Sequence, residues 1–456
     1  MGGDMLNAMK YISTVPFSGL FNWSVQYLND SKIAFSKAYP MMRIGEFLKR
    51  NKTAVTIQDG VKYKRVTIKV RNGGVVPRDE VMGENIGTKK QFLVSEGQFI
   101  LSKIDARNGA MGIIPAELGG AVVTQDFLPY DIDATKVNPQ YFVLVCTTKQ
   151  FVAFCQSCSS GTTNRQRVDE AQFLNIKVPV PSLEEQNELV KAYNDIMVFI
   201  KMEEMKAIDI DLKAMVNVRN ALGVAPYPGH IEKKLVHYID YCAIDSWSVP
   251  QILHAENSPF GKSKFACRKL SDLAFINPKT DLSMLSDADN MSFIPMEDIS
   301  DDYGEWVGKR VGSKSTIKGY TKFQDGDIIW AKITPCMQNG KSALLSNLVN
   351  GKGYGSTEFH VVRIKSNDVL PRYIHTLLRH FDMLSDAKKY FTGSAGQQRV
   401  PTSYLENLLI PIPPLDVQKQ ISDEYTNRIE QAKQGYMKIY NYKQELKENF
   451  ETQIFE

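Results

Sequence analysis

The chain has 456 residues, of which 43% are hydrophobic and 23% charged, and its net charge is +4. This length predicts two or three domains, and the apolar content excludes an intrinsically disordered chain. The sequence has no run of about 18 uncharged apolar residues and no long apolar segment near its start, so we expect neither a membrane span nor a secretory signal. Because its six cysteines are scattered, we predict a cytoplasmic protein with reduced thiols.

Three short segments have the patterns of β-strands. Apolar and polar residues alternate over 65–71, which predicts a half-buried strand. Its inward positions are Val66, Ile68 and Val70. Its outward positions are Arg65, Thr67, Lys69 and Arg71, so the outer face would be basic. The apolar runs Phe99–Leu101 after Gly97 and Ile328–Trp330 after Gly326 predict two buried strands.

Two long amphipathic helices are also predicted. The first begins after Pro181, where Ser182 and Glu185 have the spacing of a capping box, and ends near 222, before Gly223. Its apolar positions are 189, 193, 196, 200, 205, 208, 212 and 215. The second helix follows Pro414 and has the 3-4 spacing that is typical of a coiled-coil seam. Its apolar positions are Tyr425, Ile429, Ala432, Tyr436, Ile439, Leu446 and Phe450.

These helices belong to an internal repeat. The segment GTTNRQRV at 161–168 matches GSAGQQRV at 393–400, and subtracting 161 from 393 gives an offset of 232 residues. The match continues without a gap into VPVPSLEEQ at 178–186 and IPIPPLDVQ at 410–418. Near the start of each copy, Trp23-Ser-Val pairs with Trp247-Ser-Val. The chain is therefore one unit of about 225 residues written twice.

The two copies diverge mainly at 43–95 and 268–322. Segments shared by both copies should build a symmetric framework, and the divergent segments should carry whatever the two halves do differently. Two copies related by a pseudo-twofold axis would place their helices side by side and antiparallel. A globular domain would then lie at each end.

This combination resembles the specificity (S) subunits of type I restriction-modification enzymes, and the resemblance covers essentially the whole chain. It rests on two variable domains, each followed by a G-x-x-x-x-Q-R-V and I-P-x-P-x-L-x-x-Q junction that leads into a long helix. One departure is that Pro414 replaces Ser182, so only the first copy has the capping box.

The fold class that we predict is α+β. Two mixed α/β target-recognition domains, related by a pseudo-twofold, are joined by two long antiparallel coiled-coil helices. The first target-recognition domain with its N-terminal framework segment is 1–181, followed by a spacer helix at 182–222. A linker is expected at 223–246, the second recognition domain at 247–413 and the C-terminal helix at 414–456.

The resemblance implies a function as well as a fold. In the family, each variable domain reads one half of a bipartite DNA target, and the repeated framework holds two methyltransferase subunits. The expected partners are double-stranded DNA, two methyltransferase (M) subunits and restriction/translocase (R) subunits. No cofactor is expected on this chain, because S-adenosylmethionine, ATP and magnesium would belong to the partners. The sequence also contains no amino-methyltransferase motif, no helicase set and no convincing nuclease carboxylate cluster.

Two further motifs have a functional and a structural interpretation. The segment 335–342, with Gly340 and Lys341, looks like a phosphate-binding loop that lacks its first glycine, so a DNA-facing loop or a plain turn is favoured. Cys155 and Cys158 have metal-ligand spacing, but zinc needs four ligands and no second close pair exists, so we expect ordinary thiols and no metal.

Candidate DNA-binding residues are the basic side chains of the divergent and loop segments, which supply the charge that binding to phosphate requires. A solvated basic face is the alternative for each one. The candidates are Lys62, Lys64, Arg65, Lys69, Arg71, Lys103, Arg107, Lys309, Arg310, Lys314, Lys318, Lys332 and Lys341.

Residues shared by both copies cannot distinguish two different half-sites. For Arg165–Arg167 and Gln397–Arg399, junction packing or phosphate contact is therefore favoured over reading of base edges. The framework candidates are Gln166, Arg167, Pro179, Pro181 and Gln186, with Gln398, Arg399, Pro411, Pro413 and Gln418 in the second copy.

Two other functions remain open from sequence. One is a self-sufficient DNA-modifying enzyme with an unrecognised catalytic site, and the other is a scaffold that binds proteins through its paired domains.

Overall fold

A computed structural model describes residues 39–160, 167–225, 258–394 and 397–455. Trp23, Trp247, Gln166 and most of the predicted linker lie outside the described residues. The described chain forms two units. Unit 1 runs to Lys201 and also contains the segment from Tyr440 onward, and unit 2 is Met202–Ile439.

Unit 1 combines strands with α-helices. Its strands are β1 (Met41–Arg43), β2 (Leu48–Arg50), β3 (Ala54–Thr56), β4 (Lys62–Ile68), β5 (Val75–Met82), β6 (Lys90–Leu93), β7 (Phe99–Ser102), β8 (Met111–Ile113), β9 (Val122–Val123), β10 (Phe127–Ile132), β11 (Ser159–Ser160), β12 (Arg167–Val168) and β13 (Lys177–Pro179). Its helices are α1 (Pro139–Thr147), α2 (Lys149–Ser157), α3 (Glu170–Asn175), the first part of α4 (Leu183–Ala221) and the last part of α9 (Leu415–Phe455).

Unit 2 has a closely similar order of elements. Its strands are β14 (Cys267–Lys269), β15 (Ala274–Ile276), β16 (Asn290–Ile294), β17 (Val311–Ser313), β18 (Thr321–Gln324), β19 (Ile328–Ala331), β20 (Ser342–Leu344), β21 (Lys352–Gly355), β22 (Phe359–Ile364) and β23 (Leu409–Pro411). Its helices are α5 (Leu270–Leu273), α6 (Pro371–Arg379), α7 (Phe381–Ala387), α8 (Thr402–Asn407) and the remaining parts of α4 and α9.

Both units are built on the same four-stranded antiparallel sheet. Its order is β2-β10-β7-β8 in unit 1 and β15-β22-β19-β20 in unit 2. Every residue of β7 and β19 is buried, which confirms the two predicted buried strands. Gly97 and Gly326 lie two residues before these strands, with φ values of 78° and 86°, a left-handed conformation that glycine adopts readily.

Each unit adds a second sheet that contains one parallel strand pair. The order is β5-β4-β9-β6-β3 in unit 1 and β17-β16-β21-β18 in unit 2, so unit 1 has one additional edge strand, β3. Residues 69–74 close the β4–β5 hairpin, whereas residues 295–310 separate β16 from β17. Most of this second sheet lies in the divergent segments, so the two halves differ in the strands and loops added to a common framework.

The predicted basic strand differs from the observed one. Val66 and Ile68 are buried as expected, but β4 ends at Ile68 and Val70 is 45% exposed. Arg71 lies in the turn with a φ of 57°, and a bulge follows Arg65. The strand prediction over 65–71 was therefore wrong after Ile68. The apolar and polar residues continue to alternate up to Arg71, but the backbone already turns after Ile68.

Helix α4 has the predicted bounds to within one residue and ends at Ala221. The backbone N–H of Ser182 donates to Glu185 Oε2 at 2.9 Å, and the N–H of Glu185 donates to Ser182 Oγ at 3.3 Å, which confirms the capping box. After the helix, Gly223 takes a φ of 66°, as expected for a C-terminal cap.

The apolar stripe predicted for the second half of α4 is wrong. Met205 is 71% exposed and Leu212 is 57% exposed, whereas Ala207 and Ala214 are buried. A Cβ placed on Gly435 of α9 would lie 3.3 Å from the Ala207 Cβ, so the helices approach closely there through small residues. The seam predicted for α9 is confirmed at all positions except Tyr436, which is only half-buried.

The two helices run antiparallel within each unit. In unit 1, the Tyr193 ring lies 6.2 Å from that of Phe450, and the Phe199 ring lies 5.4 Å from that of Tyr442. In unit 2, Asn217 Nδ2 donates to Glu424 Oε1 at 2.7 Å. Residue numbers therefore rise along α4 as they fall along α9.

The core of each unit includes the end of the helix from the other repeat. Phe450 and Ile454 of α9 are buried with the aromatic core of unit 1, and Val218 and Leu222 of α4 are buried in the core of unit 2. Among the described ranges, no helix combines the length and apolar character that crossing a membrane requires.

Candidate nucleic-acid interface

The junction glutamines make the same hydrogen bonds in both units. Gln186 Oε1 accepts from the N–H of Asn138 at 2.8 Å, and its Nε2 donates to the carbonyl oxygens of Lys136 and Pro181 at 3.2 and 2.8 Å. Gln418 repeats this pattern on Leu370, Asp368 and Pro413 at 2.9, 2.7 and 2.8 Å. Both side chains are fully buried, so they connect the strand–helix junction to the adjacent domain rather than to a ligand.

The junction prolines are positioned in the same repeated way. Tyr141 Oη donates to the carbonyl oxygen of Pro179 at 3.0 Å, and Tyr373 Oη donates to that of Pro411 at 2.9 Å. The prolines end strands β13 and β23, which pair with β1 and β14. These residues hold the framework together in both copies.

The junction arginines form ion pairs with acidic residues that also occupy equivalent positions. Arg167 Nε lies 3.2 Å from Asp126 Oδ1, and Arg399 binds Glu358 through two hydrogen bonds of 2.8 Å. The hydrogen bonds from Arg399 hold the pKa of Glu358 below its usual value. The backbone N–H of Thr334 also donates to the Gln398 carbonyl at 2.9 Å. These contacts favour a junction role for both arginines.

Lys103 and Lys332 are equivalent residues at the ends of β7 and β19. Their N–H groups donate to the carbonyl oxygens of Asp126 and Glu358 at 2.7 and 2.9 Å, and their own carbonyls accept from Val168 and Val400, each at 2.9 Å. Each lysine therefore lies at the junction of its own unit, beside the arginine–carboxylate pair.

Two of the candidate cations on β4 are paired with acidic residues of β5. Arg65 binds Asp79 through two hydrogen bonds of 2.6 Å, and Lys62 Nζ lies 2.6 Å from Glu80 Oε2. Lys64 Nζ donates to the carbonyl oxygen of Glu117 at 3.3 Å. Arg65 of the predicted basic face and its neighbour Lys62 are therefore neutralised, and their acidic partners come from a strand that the alternation did not reveal.

A basic groove of about 630 Å³ lies beside this hairpin in unit 1. Four cationic residues line it: Arg71, Arg107, Lys149 and Lys447. Sequence reasoning identified Arg71 and Arg107 but missed Lys149 at the start of α2 and Lys447 on α9. No local pattern could have found Lys447, since only the fold brings it beside residues 70–156.

The candidate cations of unit 2 are dispersed. Arg310 lies 2.6 Å from Glu297, Lys314 donates to the Leu285 carbonyl at 2.5 Å, and Lys341 Nζ donates to the Met296 carbonyl at 3.2 Å. Lys309 and Lys318 are exposed. Through this hydrogen bond, Lys341 connects its turn to the β16–β17 loop, which is the contact expected of a plain turn.

The region of unit 2 that corresponds to the basic groove contains side chains of both charges. The end of α6 meets the β16–β17 loop there, where Arg379 donates to the carbonyl oxygens of Gly340 and Asp302 at 2.6 and 2.9 Å. The adjacent cavity, of about 290 Å³, is lined by Asp211, Asp302, Tyr303, Ile429, Ala432 and Tyr436. Burial raises the pKa of Asp211, and the nearby Asp302 adds to the shift.

Cys155 and Cys158 are buried in the core of unit 1, where burial raises the pKa of the Cys155 thiol. A raised pKa makes a reactive thiolate scarce at neutral pH. Within the described ranges, no group of three or more His, Cys, Asp or Glu side chains is arranged to hold a metal ion.

A protein-family model matches most of the chain. The model describes the type I restriction modification DNA specificity domain and matches twice, at residues 36–210 and 262–434. The two matches follow the internal repeat.

Individual proteins show the same likeness. The chain is 43% identical over 158 residues to the type I restriction enzyme EcoAI specificity subunit of Escherichia coli, and 41% identical over 153 residues to the EcoEI specificity subunit of the same organism. The matches cover 34% and 33% of this chain but only 26% and 25% of those relatives.

A solved structure from work on complex assembly and conformational transition of the type I R-M system has a similar fold. Its TM-score is 0.50 at 15% identity, with 92% of this chain and 97% of that chain covered. At this identity, the likeness concerns the fold alone.

Proposed function

The chain belongs to the family defined by the type I restriction modification DNA specificity domain, and from this premise we propose that it is the DNA-sequence-reading subunit of a type I restriction-modification complex. The observation that carries the proposal is one framework built twice with different additions. The sheets β2-β10-β7-β8 and β15-β22-β19-β20 and the buried Gln186 and Gln418 are equivalent, whereas the hairpin regions differ.

Each recognition domain would read one half of a bipartite DNA target. We keep the predicted division into recognition domains at 1–181 and 247–413, a spacer helix at 182–222, a linker at 223–246 and a C-terminal helix at 414–456. Phosphate contact is proposed for the basic candidates that carry no carboxylate partner among the described residues, such as Lys69, Arg71, Lys309 and Lys318. Lys62, Arg65 and Arg310 would have to exchange their carboxylate partners for DNA.

The proposed protein partners are two M subunits, one per repeat, and R subunits. The exposed apolar side chains of α4 support protein docking: in unit 2 these are Met202, Met205, Ile208 and Leu212. S-adenosylmethionine, ATP and magnesium would be held by those subunits, and the proposed cytoplasmic location follows from such a complex. Native mass spectrometry should give two M subunits per chain, and a stable one-to-one complex at saturating M would contradict the repeat argument.

The alternative of a self-sufficient modifying enzyme has no support from the family matches. The test is to incubate the purified chain with DNA and a labelled methyl donor, with and without its M subunits. Methyl transfer that depends entirely on the M subunits is expected. Transfer by the chain alone would overturn the proposal of a non-catalytic subunit.

A further inference from the structure

We propose that the basic groove of unit 1 binds the DNA backbone and that unit 2 has no equivalent contact. The inference rests on the proposed DNA-binding function and adds two residues, Lys149 and Lys447, that lie outside the divergent segments. It therefore concerns affinity rather than the choice of sequence.

The groove is lined by a cluster of positive charges. Arg71 comes from the β4–β5 turn, Arg107 from the loop after β7, Lys149 from α2 and Lys447 from α9. Among the described residues, no carboxylate lies within ion-pair distance of Arg71, Lys149 or Lys447. Arg71, Lys149 and Lys447 therefore keep their positive charge without local neutralisation, and an anion placed among them is attracted by all three.

One buried carboxylate beside this group is already engaged. Glu451 Oε1 accepts a hydrogen bond from the backbone N–H of Lys149 at 2.9 Å and is buried. This contact caps the start of α2 and leaves the lysine side chain exposed. Amide side chains of Asn72, Asn108 and Gln156 also line the groove, so it contains neutral polar groups as well as cations.

Unit 2 differs from unit 1 at the corresponding place in the fold. The loop between β16 and β17 is acidic there, and it is held against α9. Lys433 of α9 forms an ion pair with Glu305 of the loop and lies 5.1 Å from the centre of the loop's Tyr303 ring. Asp211 and Asp302 line the cavity beside it. The corresponding place in unit 2 therefore contains acidic side chains beside its cations, whereas the charged residues that line the groove of unit 1 are all cationic.

The anion that the groove fits best is a run of phosphates. The lining of the groove comes from four parts of unit 1, and both the arginine and the lysine side chains among them suit phosphate oxygens. A backbone contact of this kind strengthens binding to every duplex and adds to its salt dependence.

The test measures how the affinity of the full chain for a labelled duplex of arbitrary sequence varies with salt. Each phosphate contact contributes about 0.9 to the slope of log affinity against log salt, so Lys149→Gln with Lys447→Gln should reduce its magnitude by about 1.8. A matched control is Lys206→Gln with Lys213→Gln, which removes the same charge from α4, where both lysines already pair with Glu203 and Asp209 at 2.6 Å. Its slope should stay near that of the wild type.

A gain-of-charge variant provides a second measurement. Gln156 is an exposed groove residue, so Gln156→Lys should increase the slope by about 0.9. If the wild type binds with a steep salt dependence and neither set of groove variants changes it, the groove inference is wrong and the proposed function stands. If the wild type binds no duplex in a salt-dependent way, the proposed function itself fails.

Discussion

The side-chain oxygen of Gln186 accepts a hydrogen bond from the backbone N–H of Asn138 at 2.8 Å inside the junction of unit 1. Gln418 forms the same bond with Leu370 at 2.9 Å in unit 2. The two glutamines occupy equivalent positions in the two units, and both are fully buried. Because their side chains form hydrogen bonds only with backbone groups, they stabilise the framework. The repeated sequence motif is thus explained by folding rather than by DNA contact.

Gln418→Ala should destabilise the protein by about 2 to 3 kcal/mol, because it removes three hydrogen bonds and leaves buried backbone groups without partners. Denaturant unfolding monitored by circular dichroism would measure the loss. Gln420→Ala, two residues away and exposed, is the control and should change stability by less than about 0.5 kcal/mol. Equal stabilities for the two variants would show that the buried amide does not hold the junction.

Unit 2 should be sensitive to mild acid because of His380. Its Nε2 lies 3.0 Å from the Met215 carbonyl, its Nδ1 accepts from the N–H of Asp382, and burial lowers its pKa to about 4, with Arg219 adding to the shift. In the unfolded chain the His380 imidazole takes up a proton near pH 6.5, whereas in the folded protein it does so only near pH 4. The stability due to neutral His380 is therefore complete above pH 6.5 and is lost as the pH falls toward 4.

The expected loss between pH 7 and pH 5 is about 2 kcal/mol. Hydrogen exchange at pH 7 and pH 5, corrected for intrinsic rates, should show reduced protection in unit 2. His380→Thr introduces the residue found at the equivalent position 148 of unit 1, so its acid response should be smaller. The same loss in the variant and the wild type would exclude His380 as the cause.

The proposed spacer can be lengthened only if both helices are changed. Ala207 faces Gly435, so an insertion in α4 alone would shift the register of the antiparallel pair. Four residues inserted beside each should preserve the seam and add about 6 Å, or one to two base pairs, to the gap between half-sites. Methylome sequencing of a host with this variant measures the gap. An active enzyme with an unchanged gap would mean that these helices do not set the distance.

The sequence predicted the features that depend on local pattern. The bounds of α4, the capping box at Ser182 and the buried strands β7 and β19 follow from spacing over a few residues. Other features depend on residues that are distant in the chain. Asp79 neutralises Arg65 through strand pairing, and the α4–α9 contact uses Ala207 and Gly435 rather than the larger apolar residues nearby.

The central claim is that each repeat reads its own half of a DNA target, and exchanging one recognition domain tests it most directly. Residues 43–178 should be replaced by the equivalent segment of a related specificity subunit, and the chain expressed with its M subunits. Methylome sequencing should then show one half-site changed and the other half-site retained. A change in both halves, or methylation at the original target, would contradict the account.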